Sequence, residues 1–463
     1  MTQALNINPF AVIRTRKYAV LLVLGALLGI PIAAVAYFFL ALVAHIQTWV
    51  YQDLPNAFGL GSSPTWWPLI PLGVAGLLVG MIIAYLPGRG GHSPADGFKT
   101  GPSATPAMLP GVFLAAVISL GLGAVIGPEA PLIALGGGVA IWIVQLVKKD
   151  SPAQAIMLIG AAGSFAAVSA LLGSPLFGAF LLMEAIGISG AMGTLILMPG
   201  LLASGIGALI FIGLDSLTGL GTASLALPGL PNFANPTVKE FLWAIAIGVI
   251  AAGLADGVRR LSLLIRPILE KGLVVRTPIA GIAVALLAIV YALTTGKPTT
   301  DVLFSGQSFL PTLIAQRADY AWGALLLLIL FKAAAYGISL AGFRGGPVFP
   351  AMFIGGALGV FLSSVTSLAL APAIGMGIGA MAAAMLRLPL TSVLLATLLL
   401  AQDGLAVMPV VIVSVVVSYM TSIWILPTPA QTPPTEPPVP GTAPASASSP
   451  AAAPHDPVPG IKA

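Results

Sequence analysis

The sequence predicts an all-α polytopic membrane protein: an inverted repeat of tilted and broken transmembrane helices. Three observations carry this. Of 463 residues, 58% are apolar and only 7% are charged, against roughly 25% charged in an ordinary soluble domain. Apolar runs recur along the chain, often separated by glycine and proline instead of polar loops. Two such breaks, at Gly127 and Gly345, stand 218 residues apart, each after an apolar run and each opening another, the pattern of a repeated half. A cytosolic enzyme, a nucleic-acid binder and an intrinsically disordered protein are excluded, because none could be built with so little charge. The chain has no cysteine, which excludes a disulfide, a thiolate metal site, an iron–sulfur cluster and a cysteine nucleophile. Its three histidines, His45, His92 and His455, are far apart, so no metal and no cofactor is expected.

Arg14, Arg16 and Lys17 precede the first apolar run, Tyr18 to Ala44. That run is too long for a signal-peptide core and has no well-placed small-residue cleavage site. A retained span is expected, with residues 1–17 cytoplasmic by the positive-inside rule. A transmembrane domain should then fill 18–426, its repeat halves at about 69–213 and 278–426. Further apolar runs begin near residues 69, 109, 132, 154, 175, 192, 238, 278, 321, 348, 373, 388 and 405. Several fall short of the ~20 residues of a straight span. Between Asp150 and Asp215 the only charged residue is Glu184, and between Arg344 and Arg387 there is none. The breaks at Gly127-Pro128, Gly173-Ser174-Pro175 and Gly345-Gly346-Pro347 therefore lie at membrane depth, where irregular backbone must be buried in protein or line a watery cavity. Arg259, Arg260, Arg266, Lys271 and Arg276 mark a cytoplasmic basic loop at about 256–276, and the polar stretch 214–237 is expected outside. Residues 427–463, rich in Pro, Ala, Ser and Thr, read as a disordered cytoplasmic tail.

Glu129 is the most informative residue. It stands between Pro128 and Pro131, where one apolar run stops and another starts. A charge at the bilayer centre costs roughly 2.5–3.5 kcal/mol on insertion scales, so it must be compensated or protonated. A helix opening near Pro131 would aim free N–H groups and a positive dipole end at this loop, which holds an anion or the glutamate's own carboxylate. An ionised Glu129 can block such a site, and a protonated one can leave it; the bland alternative is a simple helix cap. Gly345 to Pro350 is a second such opening, where Gly345 and Gly346 admit close approach of backbone amides. Arg344 reads either as a fixed cation facing the pathway or as an arginine snorkelling to an interface. Gly91, His92 and Ser93, in the segment Gly88 to Pro94, could line an anion path or form a surface turn. Glu184 could relay protons, pair with a base, or end a helix near water. Lys332 and Arg387 read as structural cations, snorkelling or paired, and Asp403 as the mark of a loop.

Four segments together carry a resemblance. Gly127-Pro128-Glu129-Ala130-Pro131 is similar to the Gly-x-Glu-Gly-Pro element of the CLC family of chloride channels and proton–anion antiporters, with alanine in place of the second glycine. Gly345 to Pro350 resembles the family's Gly-Gly-x-Phe-x-Pro element, its phenylalanine one place later. Arg387-Leu388-Pro389-Leu390-Thr391 and Ser174-Pro175-Leu176-Phe177-Gly178 resemble two further family segments, in order and spacing, over about residues 18–424. The chain looks most like a divergent bacterial ion-transport branch without cytoplasmic regulatory domains. The resemblance implies a homodimer with one anion pathway per subunit, Glu129 as the gate, and amides around Gly127, Ala130 and Pro131 and around Gly345, Gly346, Val348 and Phe349 as anion ligands. Three departures stand out. The family's anion-contacting serine falls on Gly91 or His92, with Ser93 adjacent; the family's tyrosine position is not matched, Tyr419 being nearest; and the antiporters' second glutamate falls on Ala185.

The expected function is transport of a small inorganic anion, chloride foremost, across a cell (inner) membrane, gated by Glu129 and channel-like or loosely proton-coupled. The alternative is proton/chloride antiport with Glu184 as an internal relay. A non-transporting scaffold is a different class, and an intramembrane enzyme lacks any serine/histidine or paired-aspartate constellation. Anion, proton and lipid bilayer are the expected partners, and nucleic acid is not.

Overall fold

The computed structural model describes residues 11, 13–61, 63–98, 104–187, 190–220, 227 and 229–425; the expected tail at 427–463 lies outside them. Among the described residues, fifteen α-helices longer than the single turn Leu54–Ala57 make the frame. The first half holds α1 (Arg16–Thr48), α2 (Leu69–Tyr85), α3 (Leu109–Gly121), α4 (Glu129–Val147), α5 (Ala153–Leu172), α6 (Pro175–Ile186) and α7 (Gly190–Thr218). The second holds α8 (Val238–Glu270), α9 (Leu273–Thr295), α10 (Phe309–Ala315), α11 (Trp322–Gly342), α12 (Val348–Val365), α13 (Leu370–Leu386), α14 (Pro389–Leu399) and α15 (Gly404–Ile425). Among the described residues there is no strand, and nine helical segments are long and apolar enough to cross a membrane. Short elements such as α3, α6 and α14 cannot cross a ~30 Å core alone; α3 stops shortly before the Gly127 break, and α6 and α14 each start on a proline, Pro175 and Pro389.

The halves repeat each other's packing. In the first, α5 packs on α1, α4, α6 and α7; in the second, α13 packs on α8, α12, α14 and α15. Each half therefore takes in one long helix, α1 or α8, ahead of the expected boundaries at 69 and 278. Glycine permits the closest crossings. A Cβ on Gly163 of α5 would strike the Gly136 carbonyl of α4, and one on Gly377 of α13 would strike the Gly355 carbonyl of α12. Small residues let helices in a membrane approach backbone to backbone and gain dispersion contacts.

The basic stretch 256–276 is not a loop. Arg259, Arg260 and Arg266 lie in the last turns of α8, and only Lys271-Gly272 separates it from α9. Pairs spaced four apart support the helix there: Arg260 with Asp256 at 2.7 Å and Arg266 with Glu270 at 2.8 Å. At ~1.5 Å per residue, a helix of this length outreaches the hydrocarbon core, so its charged end can stand in water without breaking.

Candidate functional site

Both helix openings read Gly-Pro-x-x-Pro, Gly127 to Pro131 and Gly346 to Pro350. In each, the first proline is the N-cap and the helix begins one residue later, at Glu129 and at Val348. Proline suits the start of a helix because its missing N–H is not needed there. The two openings meet. Gly127 N–H donates to the Gly346 carbonyl at 2.8 Å and Gly346 N–H to the Gly127 carbonyl, an antiparallel bridge at the centre of the fold. The two chain segments run in opposite directions and bring the N-termini of α4 and α12 to one point.

Glu129 fills that point. Its side chain is fully buried, and Oε1 accepts the Val348 N–H, 219 residues away. The amides of Glu129 itself and of Phe349 also point at the carboxylate. Its other oxygen, Oε2, has no hydrogen-bond partner among the described residues. A carboxylate of one half thus sits on the free N–H groups and positive dipole end of a helix from the other. The same donors would serve an inorganic anion.

Two serines clamp the breaks across the halves. Ser119 of α3 accepts the Arg344 N–H at 3.2 Å, and Ser339 of α11 accepts the Val125 N–H at 3.1 Å. Tyr336 of α11 donates its hydroxyl to the Pro347 carbonyl at 2.8 Å, just before α12. These contacts were not foreseen. Ser119 and Ser339 stand 220 residues apart, within one residue of the 219 that separates Glu129 from Val348, and that repeat would have pointed to both.

Two cavities flank the blocked point. One, of about 570 Å³, is lined by Gly91, His92, Ser93, Ala130, Pro131, Arg344 and Gly345. The other, of about 510 Å³, is lined by Gln47, Pro128, Ser174, Ser305, Gln307 and Ser308. They lie at opposite ends of α5: Met157, Ala161 and Ser164 face the first, and Ala170 to Gly173 the second. Glu129 lines neither and separates them.

The structure gives each of the remaining candidate residues its partners. Arg344 does not snorkel: it is buried, lines the first cavity, and donates to the Arg89 and Phe343 carbonyls at 3.2 Å each. Lys332 does not snorkel, and among the described residues it forms no side-chain ion pair. Fully buried, it donates to the carbonyls of Asp301, Val302 and Leu303 at 2.9–3.1 Å. Glu184 is not held by a base. Its oxygens accept from the N–H groups of Leu390 and Thr391 at 2.9 and 2.7 Å and from the Thr391 hydroxyl at 2.5 Å, capping α14. Arg387 closes α13 in a left-handed conformation with φ 59°. Asp403 lies in a short turn and accepts the Phe233 N–H at 3.2 Å. Tyr419 lines neither cavity.

Residues 97–423 match the family model described as voltage gated chloride channel, about seven-tenths of the chain. The chain belongs to this CLC family. Among curated relatives of the CLC chain is a candidate ion-transport protein, YfeO, of Salmonella newport (strain SL254), 27% identical over 360 residues, which are 75% of this chain and 82% of the relative. Its counterpart from Escherichia fergusonii is 25% identical over 359 residues, 75% and 80% of the two chains. A slow cyanobacterial Cl−/H+ antiporter shares the fold with TM-score 0.69 at 18% identity, covering 88% of this chain and 94% of the other. A CLC-type fluoride/proton antiporter does so with TM-score 0.63 at 19% identity, covering 87% and 95%. The family transports anions through membranes, and this chain carries its fold.

Proposed function

We propose that this protein passes a small inorganic anion, chloride foremost, through the junction of α4 and α12, and that Glu129 gates the passage. The observation that carries this is the buried Glu129 carboxylate on the Val348 N–H, between two cavities. Ionised, it competes with the anion for the same amides. Protonated, it loses its claim on the dipole end and can swing aside. Arg344 and the amides of Val348 and Phe349 draw the anion in, with Gly345, Gly91, His92, Ser93, Ala130 and Pro131 on the wall of that one cavity; Gly127 and Gly346 brace the two helix openings against each other.

Orientation follows from charge. Tyr18, beside Lys17, donates to the Leu195 carbonyl, and Ile196 lines the Arg344 cavity. Arg266 pairs with Asp96, next to Gly97 on the wall of the same cavity. The basic N-terminal segment and the end of α8 thus share one side, which we place in the cytoplasm of a cell membrane. Family resemblance supports a homodimer with one pathway per subunit.

Proton coupling is absent or loose on this reading, because Ala185 stands at the antiporters' relay position and Glu184 is committed as a helix cap. The second reading, antiport with Glu184 as relay, draws support from the antiporter descriptions of the two similar structures and from Glu184's place near the cytoplasmic end of α6. In liposomes with a pH probe, an imposed chloride gradient should drive chloride but little uphill proton movement. Robust uphill proton movement, abolished by Glu184→Gln, would establish the second reading instead; no anion flux at all would leave neither.

A further inference from the structure

We propose that Lys332 is a positioning residue of the gate. It ties the loop over the outer cavity to the helix that holds Glu129, and so sets how readily Glu129 can leave. The inference rests on the gating role of Glu129 proposed above.

The tie is built from main chain. The loop begins with the turn Thr299–Asp301, and Lys332 takes the carbonyls of Asp301, Val302 and Leu303 on its three N–H groups. An ammonium has three donors and no acceptor, so all its capacity is spent on this one strip of backbone. The next residue, Phe304, is held at φ 60°, a conformation costly for a bulky side chain. Its N–H donates to the Gly123 carbonyl at 3.3 Å, four residues before Gly127. Its ring packs on Tyr51, whose hydroxyl donates to the Leu122 carbonyl at 3.0 Å. Then come Ser305, Gln307 and Ser308, which line the outer cavity together with Pro128, the neighbour of Glu129.

The other end of the tie is α12. The Lys332 ammonium rests 4.5 Å from the Phe353 ring centroid, just over one turn beyond Val348. Gly306 of the loop lies so close to Phe353 that a Cβ there would meet the ring at 2.5 Å. One side chain of α11 therefore joins the loop beside the first break to the helix whose N-terminus binds the glutamate. Four residues further along α11, about one turn, Tyr336 holds the Pro347 carbonyl.

The charged and titratable groups around this tie are few. Asp301 faces Lys332, its Oδ2 taking the Tyr320 hydroxyl at 2.8 Å. Lys297 lies 4.3 Å from the Tyr320 ring centroid, and Tyr291 faces Asp301. Tyr336 is the group facing Glu129 from α11.

The cysteine-free chain allows a direct test. Ser305→Cys is labelled with an impermeant thiol reagent in otherwise wild-type and in Lys332→Met protein, and flux is measured at acid and neutral pH. Lys332→Met keeps length and apolar bulk but cannot donate. Labelling is expected to speed up at least about fivefold, the scale of one of the three hydrogen bonds lost. Neutral-pH flux relative to acid flux should rise by a similar factor, because the ionised glutamate escapes more easily. Lys332→Arg, which keeps charge and donors, should restore the wild-type ratio. Unchanged labelling, or faster labelling with an unchanged pH ratio, overturns the inference. If Lys332→Met does not assemble, Phe353→Leu replaces it: the three hydrogen bonds stay and the ring is lost, and about a twofold change in the same direction is expected. No change there also overturns it. Failure of the gating role itself would show separately, as an unaltered pH response in Glu129→Gln.

Discussion

The two helix openings share one backbone plan and differ in one side chain. At α4 the first helical residue is Glu129; at the equivalent place in α12 it is Val348. Both follow Gly-Pro, both have a proline two residues later, and both are clamped by a serine from the opposite half. The backbone provides two positive helix ends at one point. The side chain decides which end receives and which supplies a charge. A carboxylate at both places would put like charges together in a buried site, which disfavours ionising both. With none, the site would stand open to any small anion. On the gating role proposed for Glu129, one acid in a symmetric frame lets the site be closed from within.

The comparison can be broken at several levels. The largest effect on the fold is expected at the glycine crossings. Gly163→Ala and Gly377→Ala each press a methyl onto a facing carbonyl, and overpacking costs roughly 1–3 kcal/mol when the backbone must shift. Both variants should melt well below wild type in detergent, by similar amounts. Tolerance of one but not the other would show that the halves are not mechanically equivalent.

An effect of similar size is expected at the serine clamps. Ser119→Ala strands the Arg344 N–H and Ser339→Ala strands the Val125 N–H, and a buried donor left unpaired costs about 1–3 kcal/mol. Thermal melts should fall by similar amounts in the two variants. Ser119→Ala should alter flux more, because it loosens the segment carrying Arg344 and Gly345.

The smallest effect concerns Asp301, outside the spans. Burial pushes its carboxyl up to about 6, against the pull of the Tyr320 hydroxyl and of Lys332 and Lys297. Ionisation is then harder in the folded than in the unfolded chain. Its contribution to stability is full below pH ~4 and lost as pH rises through about 6. Asp301→Asn should remove that slope from melting temperature measured between about pH 4 and pH 7, and an unchanged slope would contradict it.

Much of this was legible because breaks are local. Gly-Pro pairs inside apolar runs mark helix openings whatever packs around them, so Glu129 and the Gly345 to Pro350 segment stood out. What Glu184 does was not legible: its partners are amides of Leu390 and Thr391, more than two hundred residues away, and backbone donors leave no mark in side-chain chemistry. Lys332 was hidden for the same reason, since three carbonyls satisfy it. The basic stretch misled because charge density suggested a loop, whereas Asp256–Arg260 and Arg266–Glu270 sit at helical spacing. The same spacing, read as pairs, points to the long α8.

The central claim is that the Glu129 carboxylate and the transported anion compete for the N-terminus of α12. Chloride flux through Glu129→Gln protein in liposomes, measured from acid to neutral pH beside wild type, tests it most directly. The amide mimics the protonated acid and cannot carry charge, so flux should be high and nearly independent of pH, while wild-type flux falls toward neutral pH. A variant that keeps the full wild-type pH response would contradict the claim.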